Sequence, residues 1–434
     1  MRNLRPLATA VAVLTLLAGA ASATGAATPP GAGTAQSSAP RLPTTSADAI
    51  AGAKAVRAEA ESLLGPVIAH AGGRGGNVVF SPASLAVAVA MLRAGTQGAS
   101  ASQIDGLFAT SGPRLLQGMN ALDQHLTALS GPGTNVQGHK GDVTLWSANR
   151  LFGQTGVTWQ SAFLATLASR FGADLLTVDY AHDPDGARRI INRWVSDQTR
   201  GKIPALIPAG AITAQNVLTL VNALYLKAPW FAPFDATSPK APFRRFDGKT
   251  VSAPTMHLGG SIAHLRGAGW TAVRLSYAGQ KLAMTVIVPD AGHFADVRTA
   301  LGGRLLGTVL TSRYTTGPGQ LWLPRFKIRT KVPLNSVLGS RGLTRIFQPT
   351  HDLDPMSAQL AGTLAVGQIR QEATITVDEQ GTEAAAATSV EIIVTSAPGN
   401  PFLLRVDHPF LFVVHDVATG TPLFIGQVGD PTAG

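Results

Sequence analysis

Hydrophobic and polar positions alternate along a stretch near the C-terminus with the period of two that is typical of a β-strand. The run QEATITVD places Ala373, Ile375 and Val377 on one face. Gly381 interrupts the run, and beyond it one face again carries only small or apolar residues, which are Thr382, Ala384, Ala386, Thr388, Val390, Ile392 and Val394. The pattern predicts a strand able to lie in a sheet over a core. The four consecutive alanines fit a short helix or an exposed loop equally well, because alanine is the best helix former.

Upstream, apolar spacing predicts the alternating helices and strands of an α+β fold. Ser46–Ala71 has helical spacing with Ser46 as its expected cap, and Asn77–Phe80 reads as a short buried strand. A Ser-Pro pair then opens an apolar helix, Ser84–Gly95, because serine accepts a free backbone N–H and proline lacks one. Further strands are predicted at Asp142–Phe152, Asp174–Tyr180, Val217–Lys227 and Gly367–Asp378, further helices at Thr158–Phe171, Asp183–Thr199 and Phe294–Leu306, and two strands joined through Gly420 within Pro401–Val428.

The 434 residues divide into three parts by composition. Residues 1–23 have the basic start, apolar centre and final A-x-A of a secretory signal peptide, and the apolar run is short for a membrane anchor. Residues 24–46 are low in complexity and are expected to form a disordered spacer. Residues 47–430 are long enough for one large domain with a sizeable core. We therefore expect an exported, extracellular protein with no membrane association after removal of the signal peptide.

The chain carries a net charge of +10 and contains no cysteine, so it has neither disulfides nor thiol chemistry. Arg325, Lys327, Arg329 and Lys331 alternate along a predicted strand and so share one face. This basic stripe suits either a polyanion or, more simply, a solvated strand face. No aromatic residues interleave the charges and no helix is crowded with basic residues, so no nucleic-acid partner is expected.

A catalytic centre is not evident in the sequence. A hydrolase of the nucleophile-elbow type needs G-x-S-x-G, which is absent. His351, Asp352 and Asp354 lie together without a second histidine at ligand spacing, so a surface loop is favoured over a metal site. His408 is expected to be structural. We expect no enzyme activity, no metal and no cofactor.

The segment that follows the alternating run resembles the reactive-centre hinge of the serpins. The positions that match the motif V-x-E-x-G-T-x-A-A-A-A-T are Val377, Glu379, Gly381, Thr382, Ala384, Ala385, Ala386, Ala387 and Thr388. Other segments are similar to serpin motifs in the same order along the chain, namely NVVFSPASLAVAVAML, INRWVSDQTRGKIPAL, NALYLKAPW, LWLPRFKI, LTRIF and DHPF. Ala228 stands where the third of these motifs has glycine. The chain is therefore identified as a member of the serpin family, and we expect a secreted bacterial one.

This resemblance implies a fold and a mechanism. The fold is α+β, with a large central mixed or antiparallel sheet, two smaller sheets, eight or nine helices and an exposed reactive-centre loop at about 379–401. A serpin offers this loop to a serine protease, is cut, and inserts the loop into the main sheet while the protease remains acyl-linked. Strands Val217–Lys227 and Gly367–Asp378 are expected to part for it. The partner would be a serine protease, or less favourably a cysteine protease, bound by a monomer.

The family's usual spacing from the hinge glutamate places the scissile bond at Thr395-Ser396, with Val394-Thr395 as runner-up. Both choices put a small β-branched residue in the specificity pocket of the protease. No Lys, Arg, Phe or Tyr lies between Glu379 and Pro401. An elastase-like or subtilisin-like target is therefore expected. The alternative is a non-inhibitory serpin that serves as a substrate, carrier or chaperone, but the small hinge residues disfavour it.

Serpins usually carry a histidine eight residues before the hinge glutamate, in a polar cluster where the sheet opens. The corresponding positions here are Ser81, Ser84, Asn222 and Gln371, with glutamine in place of histidine. Glutamine can still donate and accept hydrogen bonds, but it does not titrate. The resemblance therefore predicts that sheet opening is less sensitive to pH near neutrality than in serpins that carry the histidine.

Overall fold

The computed structural model describes residues 28–71, 73, 75–382 and 401–433. The predicted signal peptide and the predicted loop positions from Ala384 to Ser396 lie outside these residues. Within them the α-helices are α1 (Ser46–Ala71), α2 (Pro82–Arg93), α3 (Gly98–Leu107), α4 (Gly112–Thr127), α5 (Ser161–Phe171), α6 (Pro184–Gln198), α7 (Phe294–Leu301), α8 (Arg304–Thr311) and α9 (Leu334–Gly339). The nine helices agree with the eight or nine that were predicted.

The strands of the described residues form two sheets. They are β1 (Gly33–Ala35), β2 (Val78–Phe80), β3 (Gly131–Thr134), β4 (Lys140–Gln154), β5 (Leu175–Val178), β6 (Leu218–Pro229), β7 (Lys240–Arg244), β8 (Thr250–Gly267), β9 (Trp270–Ser276), β10 (Leu282–Pro289), β11 (Thr315–Pro324), β12 (Phe326–Pro333), β13 (Gln368–Val377), β14 (Gly381–Thr382), β15 (Phe402–Arg405), β16 (Phe410–Asp416) and β17 (Pro422–Val428).

The main sheet has the order β1-β5-β4-β6-β14-β13-β12, with β3 paired to β4. It is mixed, because β4 runs parallel to β5 and β6 runs parallel to β13, whereas the other pairs are antiparallel. A large central mixed sheet was the predicted architecture. β4 and β6 pair over ten residues each, from Thr144 opposite Lys227 to Gly153 opposite Leu218. This long pairing holds β4, β5 and β6 together as one half of the sheet.

The second sheet has the order β15-β11-β8-β9-β10-β16-β17-β2, with β7 paired to β8. Two smaller sheets were expected, and the structure joins them by continuous hydrogen bonding. The reason is the length of β8, which spans 18 residues and pairs with β7 at its start and with β9 at its end. This sheet and the main sheet enclose the core.

Helix α2 occupies the centre of that core. Every residue of α2 from Pro82 to Leu92 is buried, as its nearly uniform apolar sequence predicts. Ser81 is its N-cap and accepts a hydrogen bond from the backbone N–H of Ser84 at 3.3 Å. Helix α6 instead packs on the outer face of the main sheet, where Trp194 meets the ring of Phe152 edge-on at 5.7 Å.

The structure corrects three details of the predicted elements. Thr45, and not Ser46, caps α1, since its hydroxyl accepts from the N–H of Asp48 and its own N–H donates to the Asp48 carboxylate. The predicted helix 294–306 is divided into α7 and α8 at Gly302-Gly303, the residue type that least favours helix among the non-prolines. The C-terminal stretch contains a third strand, β15.

The N-terminal segment also differs from its prediction. Residues 28–45 pack on the protein surface, with β1 paired antiparallel to β5 and Arg41 paired with Asp123. The composition of the segment predicts a spacer, but backbone pairing and one partly exposed ion pair hold it in place. No helix of the described residues is both long enough and apolar enough to span a membrane.

Candidate functional site

The candidate site is the seam between β6 and β13 in the main sheet. At one end the two strands pair directly, from Gln368–Thr219 to Gln371–Asn222. At the other end β14 lies between them, with Thr382 opposite Val377 of β13 and Ala228 of β6. The two strands predicted to part are thus joined at one end of the seam and already separated at the other.

A tight turn brings β14 into the seam. The carboxylate of Asp378 accepts hydrogen bonds from the backbone N–H groups of Gln380 and Gly381, at 2.9 and 3.2 Å. Gly381 is required by close approach, because a Cβ there would lie 2.2 Å from the carbonyl oxygen of Ala228. The glycine of the hinge motif therefore has a steric reason in this fold.

Thr382, the first inward position of the hinge, is 1% exposed. Its hydroxyl shares a 2.6 Å hydrogen bond with the Tyr277 hydroxyl. Tyr277 in turn stacks on Trp230, with ring centroids 4.6 Å apart and planes 9° apart. Trp230 donates its backbone N–H to the carbonyl of Gln380 and its indole N–H to that of Asp378, both at 2.9 Å. Two stacked aromatic rings therefore hold the turn and β14.

Glu379, the hinge glutamate, is held by side chains on both sides. Its carboxylate accepts from Arg325 Nε at 2.5 Å and from the hydroxyl of Ser238, and its carbonyl accepts from the N–H of Phe234 at 3.1 Å. The carboxylate is only 6% exposed, whereas the arginine side chain is 45% exposed. Removing Arg325 would leave the buried carboxylate of Glu379 without its charged partner, so this contact restrains the hinge.

The basic stripe on β12 is largely engaged within the protein. Arg325 pairs with Glu379, and Arg329 and Lys331 both face the fully buried carboxylate of Glu372 on β13, with Lys331 Nζ at 3.6 Å. The stripe is thus a solvent-exposed strand face, with Arg325, Arg329 and Lys331 45–58% exposed, that also pairs with two buried carboxylates. Three of its four cations bind β13 and the hinge.

The four predicted cluster residues meet at the closed end of the seam. Gln371 Oε1 accepts from the backbone N–H of Ser81 at 2.9 Å, and Gln371 Nε2 donates to the Ser81 carbonyl and to Asn222 Oδ1, both at 2.8 Å. Asn222 Nδ2 then donates to the hydroxyl of Ser84 at 2.5 Å. Gln371 on β13 thus uses both the oxygen and the nitrogen of its side-chain amide to bind β6 and the N-cap of α2.

Asn149 on β4 also belongs to this cluster, although the sequence reasoning missed it. Its Oδ1 accepts from Asn222 Nδ2 at 2.5 Å and lies 3.4 Å from the hydroxyl of Ser84. Asn149 lies directly opposite Asn222 in the antiparallel pairing of β4 with β6. Only the register of these two strands brings its side chain into the cluster. No side chain of this cluster titrates near neutral pH.

Burial changes the acid–base properties of the hinge. Desolvation raises the pKa of Asp378 above its usual 3.8, and the nearby carboxylate of Glu379 adds to this, although hydrogen bonds from Gln380 and Gly381 oppose the shift. Burial likewise raises the pKa of the Tyr277 phenol, so this hydroxyl stays protonated and able to donate to Thr382. The hinge is thus a desolvated polar site.

Other candidate residues have structural partners. His351 pairs with Asp354 at 2.9 Å, and the Asp352 carboxylate accepts from the N–H and the hydroxyl of Ser100. His408 Nε2 lies 2.7 Å from the carbonyl of Pro289, which ties its loop to β10. The described residues contain no group of three His, Cys, Asp or Glu side chains placed to hold a metal ion.

Sequence motifs pointed to the glycine, threonine and glutamate of the hinge but not to the residues that hold them. Tyr277, Ser238 and Arg325 lie far from the hinge in sequence, and only the tertiary structure brings them to it. The alternating charge of the β12 stripe was the one available signal for Arg325.

Comparison with known proteins identifies the family of the chain. A family model described as serpin (serine protease inhibitor) matches residues 62–431. Leukocyte elastase inhibitor of Homo sapiens is 32% identical over 370 residues, which cover 82% of this chain and 93% of that protein. Alpha-1-antitrypsin 1-1 of Mus musculus is 31% identical over 361 residues, which cover 82% of this chain and 84% of that protein.

Solved structures show the same fold. The thermophilic serpin Tengpin in its native state superposes with a TM-score of 0.76 at 21% identity, over 92% of this chain and 99% of that one. Uncleaved ovalbumin superposes with a TM-score of 0.74 at 21% identity, and the alignment covers 88% of this chain and 100% of the ovalbumin chain. At these identities the likeness establishes the architecture, including the large mixed sheet.

Proposed function

The chain belongs to the serpin family, and from this premise we propose that it inhibits serine proteases as a suicide substrate. The protease serine attacks the carbonyl of Thr395, the peptide bond to Ser396 breaks, and the amine of Ser396 leaves with the proton that the protease histidine supplies. The chain thereby takes part in the reaction as a substrate and contributes no catalytic group. Insertion of the loop into the seam then precedes hydrolysis of the acyl bond.

One observation carries this proposal: Gly381–Thr382 already forms a strand between β6 and β13. A strand that continues from Thr382 would separate the paired ends of β6 and β13 and satisfy their backbone groups. The small inward residues of the sequence beyond Thr382 suit a packed sheet, because a charged side chain there would be buried without a partner.

We propose an elastase-like or subtilisin-like serine protease as the target, with a cysteine protease as a less favoured one. The β-branched Thr395 suits a small specificity pocket, and relatives of this chain carry the name leukocyte elastase inhibitor. We further propose secretion, from the signal-like residues 1–23, and action as a monomer. A non-inhibitory role as substrate, carrier or chaperone is the second candidate, since uncleaved ovalbumin shares the fold.

The test is to mix the purified protein with pancreatic-type elastase and, separately, with a subtilisin at equimolar ratio. Denaturing electrophoresis detects a covalent complex, and intact mass spectrometry identifies the released C-terminal peptide. We expect a detergent-stable complex and a peptide that begins at Ser396.

A peptide that begins at Thr395 would move the scissile bond to the runner-up position. Cleavage without a complex would contradict the inhibitor function and favour the second candidate. The variant Thr382→Arg serves as control, because it should be cut at the same bond without trapping the protease.

A further inference from the structure

We propose that Glu59 on α1 holds a proton in the native fold, and that release of this proton as the pH rises destabilises the fold. Helix α1 thereby carries a pH sensor that lies outside the hinge and the seam. The inference goes beyond the proposed function and is independent of it, because none of its readouts involves a protease or the loop.

Glu59 lies on the inward face of α1. Its side chain is 0% exposed, as are those of Val56 and Leu63, which lie three residues before it and four residues after it and so share its face of the helix. Glu61 is instead half-buried and borders an open groove with Arg298. Turning Glu59 towards solvent would expose Val56 and Leu63, so the apolar register of α1 keeps this carboxyl group inside the protein.

The carboxyl group of Glu59 is also without a partner. Neither of its two oxygens has a hydrogen-bond partner among the described residues. The other buried acidic side chains of the described chain each pair with a basic side chain, and they are Glu372, Glu379 and Asp416. An ionised Glu59 would therefore be an uncompensated buried charge, unlike these three.

The charged side chains of α1 and of the elements packed against it are bound elsewhere or lie at the surface. The packed elements are α2, α3, α4, α7, α8, α9, β2, β12 and β17. The groups bound elsewhere are Arg57 with the carbonyls of Thr419 and Gly420, Arg93 with Asp105, Asp123 with Arg41, His125 with Asp416, and Arg329 and Lys331 with Glu372. The groups at the surface are Asp48, Lys54, Glu61, His70, Arg114, Asp296, Arg298, Arg304 and Lys327. None of these groups compensates a charge on Glu59.

Burial alone therefore raises the pKa of Glu59 well above its usual 4.5. The folded protein keeps the proton at pH values where the unfolded chain has released it. The contribution of this proton to stability is complete below the unfolded value and is lost as the pH rises through the raised pKa. Each pH unit between the two values lowers the equilibrium constant for folding by up to about tenfold.

The test compares Glu59→Gln with the parent protein by equilibrium unfolding in urea, between about pH 4 and 9. Glutamine keeps the size of the side chain but carries no titrating group. The two proteins should be equally stable within about threefold in the folding constant at about pH 4. The advantage of Glu59→Gln should then grow by up to about tenfold for each pH unit, and level off above the raised pKa of Glu59.

Two further variants separate titration from packing. Glu59→Met fills the same space without a polar group and should be more stable than Glu59→Gln at every pH, because a buried amide without partners is costly. Asp296→Asn is the matched control, since it removes a carboxylate that is 83% exposed on α7, a helix that also contacts α1. It should stay within about twofold of the parent folding constant at every pH.

Infrared difference spectroscopy provides a readout on the folded protein. The parent at neutral pH should show the carbonyl absorption of one protonated carboxylic acid that both Glu59→Gln and Glu59→Met lack, and this absorption should disappear as the pH rises. A stability difference between parent and variants that does not change between about pH 5 and 9 would overturn the inference. An identical protonated-acid absorption in the parent and in the two variants would overturn it as well, whatever the outcome of the protease experiments.

Discussion

The two ends of the β6–β13 seam are held by different kinds of contact. At the closed end, backbone pairing from Gln368 to Gln371 is reinforced by the amide cluster of Gln371 and Asn222. At the open end, a two-residue strand lies between the strands, and side chains hold it: Tyr277 on Thr382, Trp230 on the turn, and Arg325 on Glu379.

This difference bears on the proposed insertion of the loop. In that mechanism the open end would supply the start of the new strand, so the first step of insertion would need no new nucleus. The closed end would set the barrier, because its buried amides lose their partners when the strands separate, and each orphaned group costs about 1–3 kcal/mol.

The largest effect is expected from a charge at the open end. Thr382→Arg places an unpaired cation at a site that is 1% exposed, so insertion is blocked while cleavage continues. The number of inhibitor molecules consumed per protease should rise at least about tenfold, since burying an unpaired charge costs several kcal/mol. Titration of active protease measures this number.

Thr382→Val keeps the shape of the side chain. It should leave the number of inhibitor molecules consumed per protease within about twofold of the parent value. Ala384→Glu is expected to act like Thr382→Arg, because it is the next inward position of the sequence pattern. Unchanged inhibition in both charged variants would refute insertion at this seam.

The aromatic pair provides the second test. Trp230→Ala should lower the free energy of unfolding by about 3–5 kcal/mol, as for other buried tryptophans. Trp230→Phe keeps a ring to stack on Tyr277 but loses the bond to the Asp378 carbonyl, so a loss of about 1–3 kcal/mol is expected. Equilibrium unfolding in urea measures both, and a stability of Trp230→Phe equal to that of the parent would mean that the indole N–H contributes nothing beyond packing.

Weakening the closed end should have the opposite kinetic consequence to charging the open end. Gln371→Leu orphans the backbone groups of Ser81 and the amide oxygen of Asn222, so the seam should open more readily. Conversion of the warmed protein to a urea-resistant monomer should accelerate by about tenfold. A rate equal to that of the parent would show that the amide cluster does not control opening.

The absence of histidine from the cluster predicts a flat pH dependence of inhibition. The rate should change little between about pH 6 and 8, where histidine titrates, once the profile of the protease itself is taken into account. Gln371→His is the comparison, since it places a titratable ring among the same partners. A marked change of rate in the parent protein over this range would contradict the prediction.

The smallest effect is expected at Asp378. Its pKa is raised by burial, so the folded protein binds this proton more tightly than the unfolded chain does. Its contribution therefore favours folding at low pH and is lost as pH rises through the raised pKa. Asp378→Asn keeps an oxygen acceptor for Gln380 and Gly381, and should raise the melting temperature slightly at pH 7 but not at pH 3. An equal change at both values would exclude titration of Asp378 as the cause.

Much of the fold was accessible from local patterns. Helix α1 has the predicted bounds, and β6 begins within one residue of its prediction, because strong apolar periodicity and start signals act over a few residues. Helix α3 and the long pairing of β8 with β11 were not predicted, since weak amphipathic spacing and distant pairing leave little local signal. Helix α4 was also not predicted, although Leu115, Met119, Leu122 and Leu126 recur at helical spacing and are buried.

By itself the sequence determined the α+β class, the family, the hinge motif and the four polar residues of the cluster, since these depend on residue types at short spacing. Only the tertiary structure decided that Gly381–Thr382 already lies between the two strands, that Asn149 joins the cluster, and that the basic stripe holds Glu372 and Glu379. It also decided that residues 28–45 pack on the protein. The physical reason is that register and ion pairing between distant segments depend on geometry that no local pattern carries.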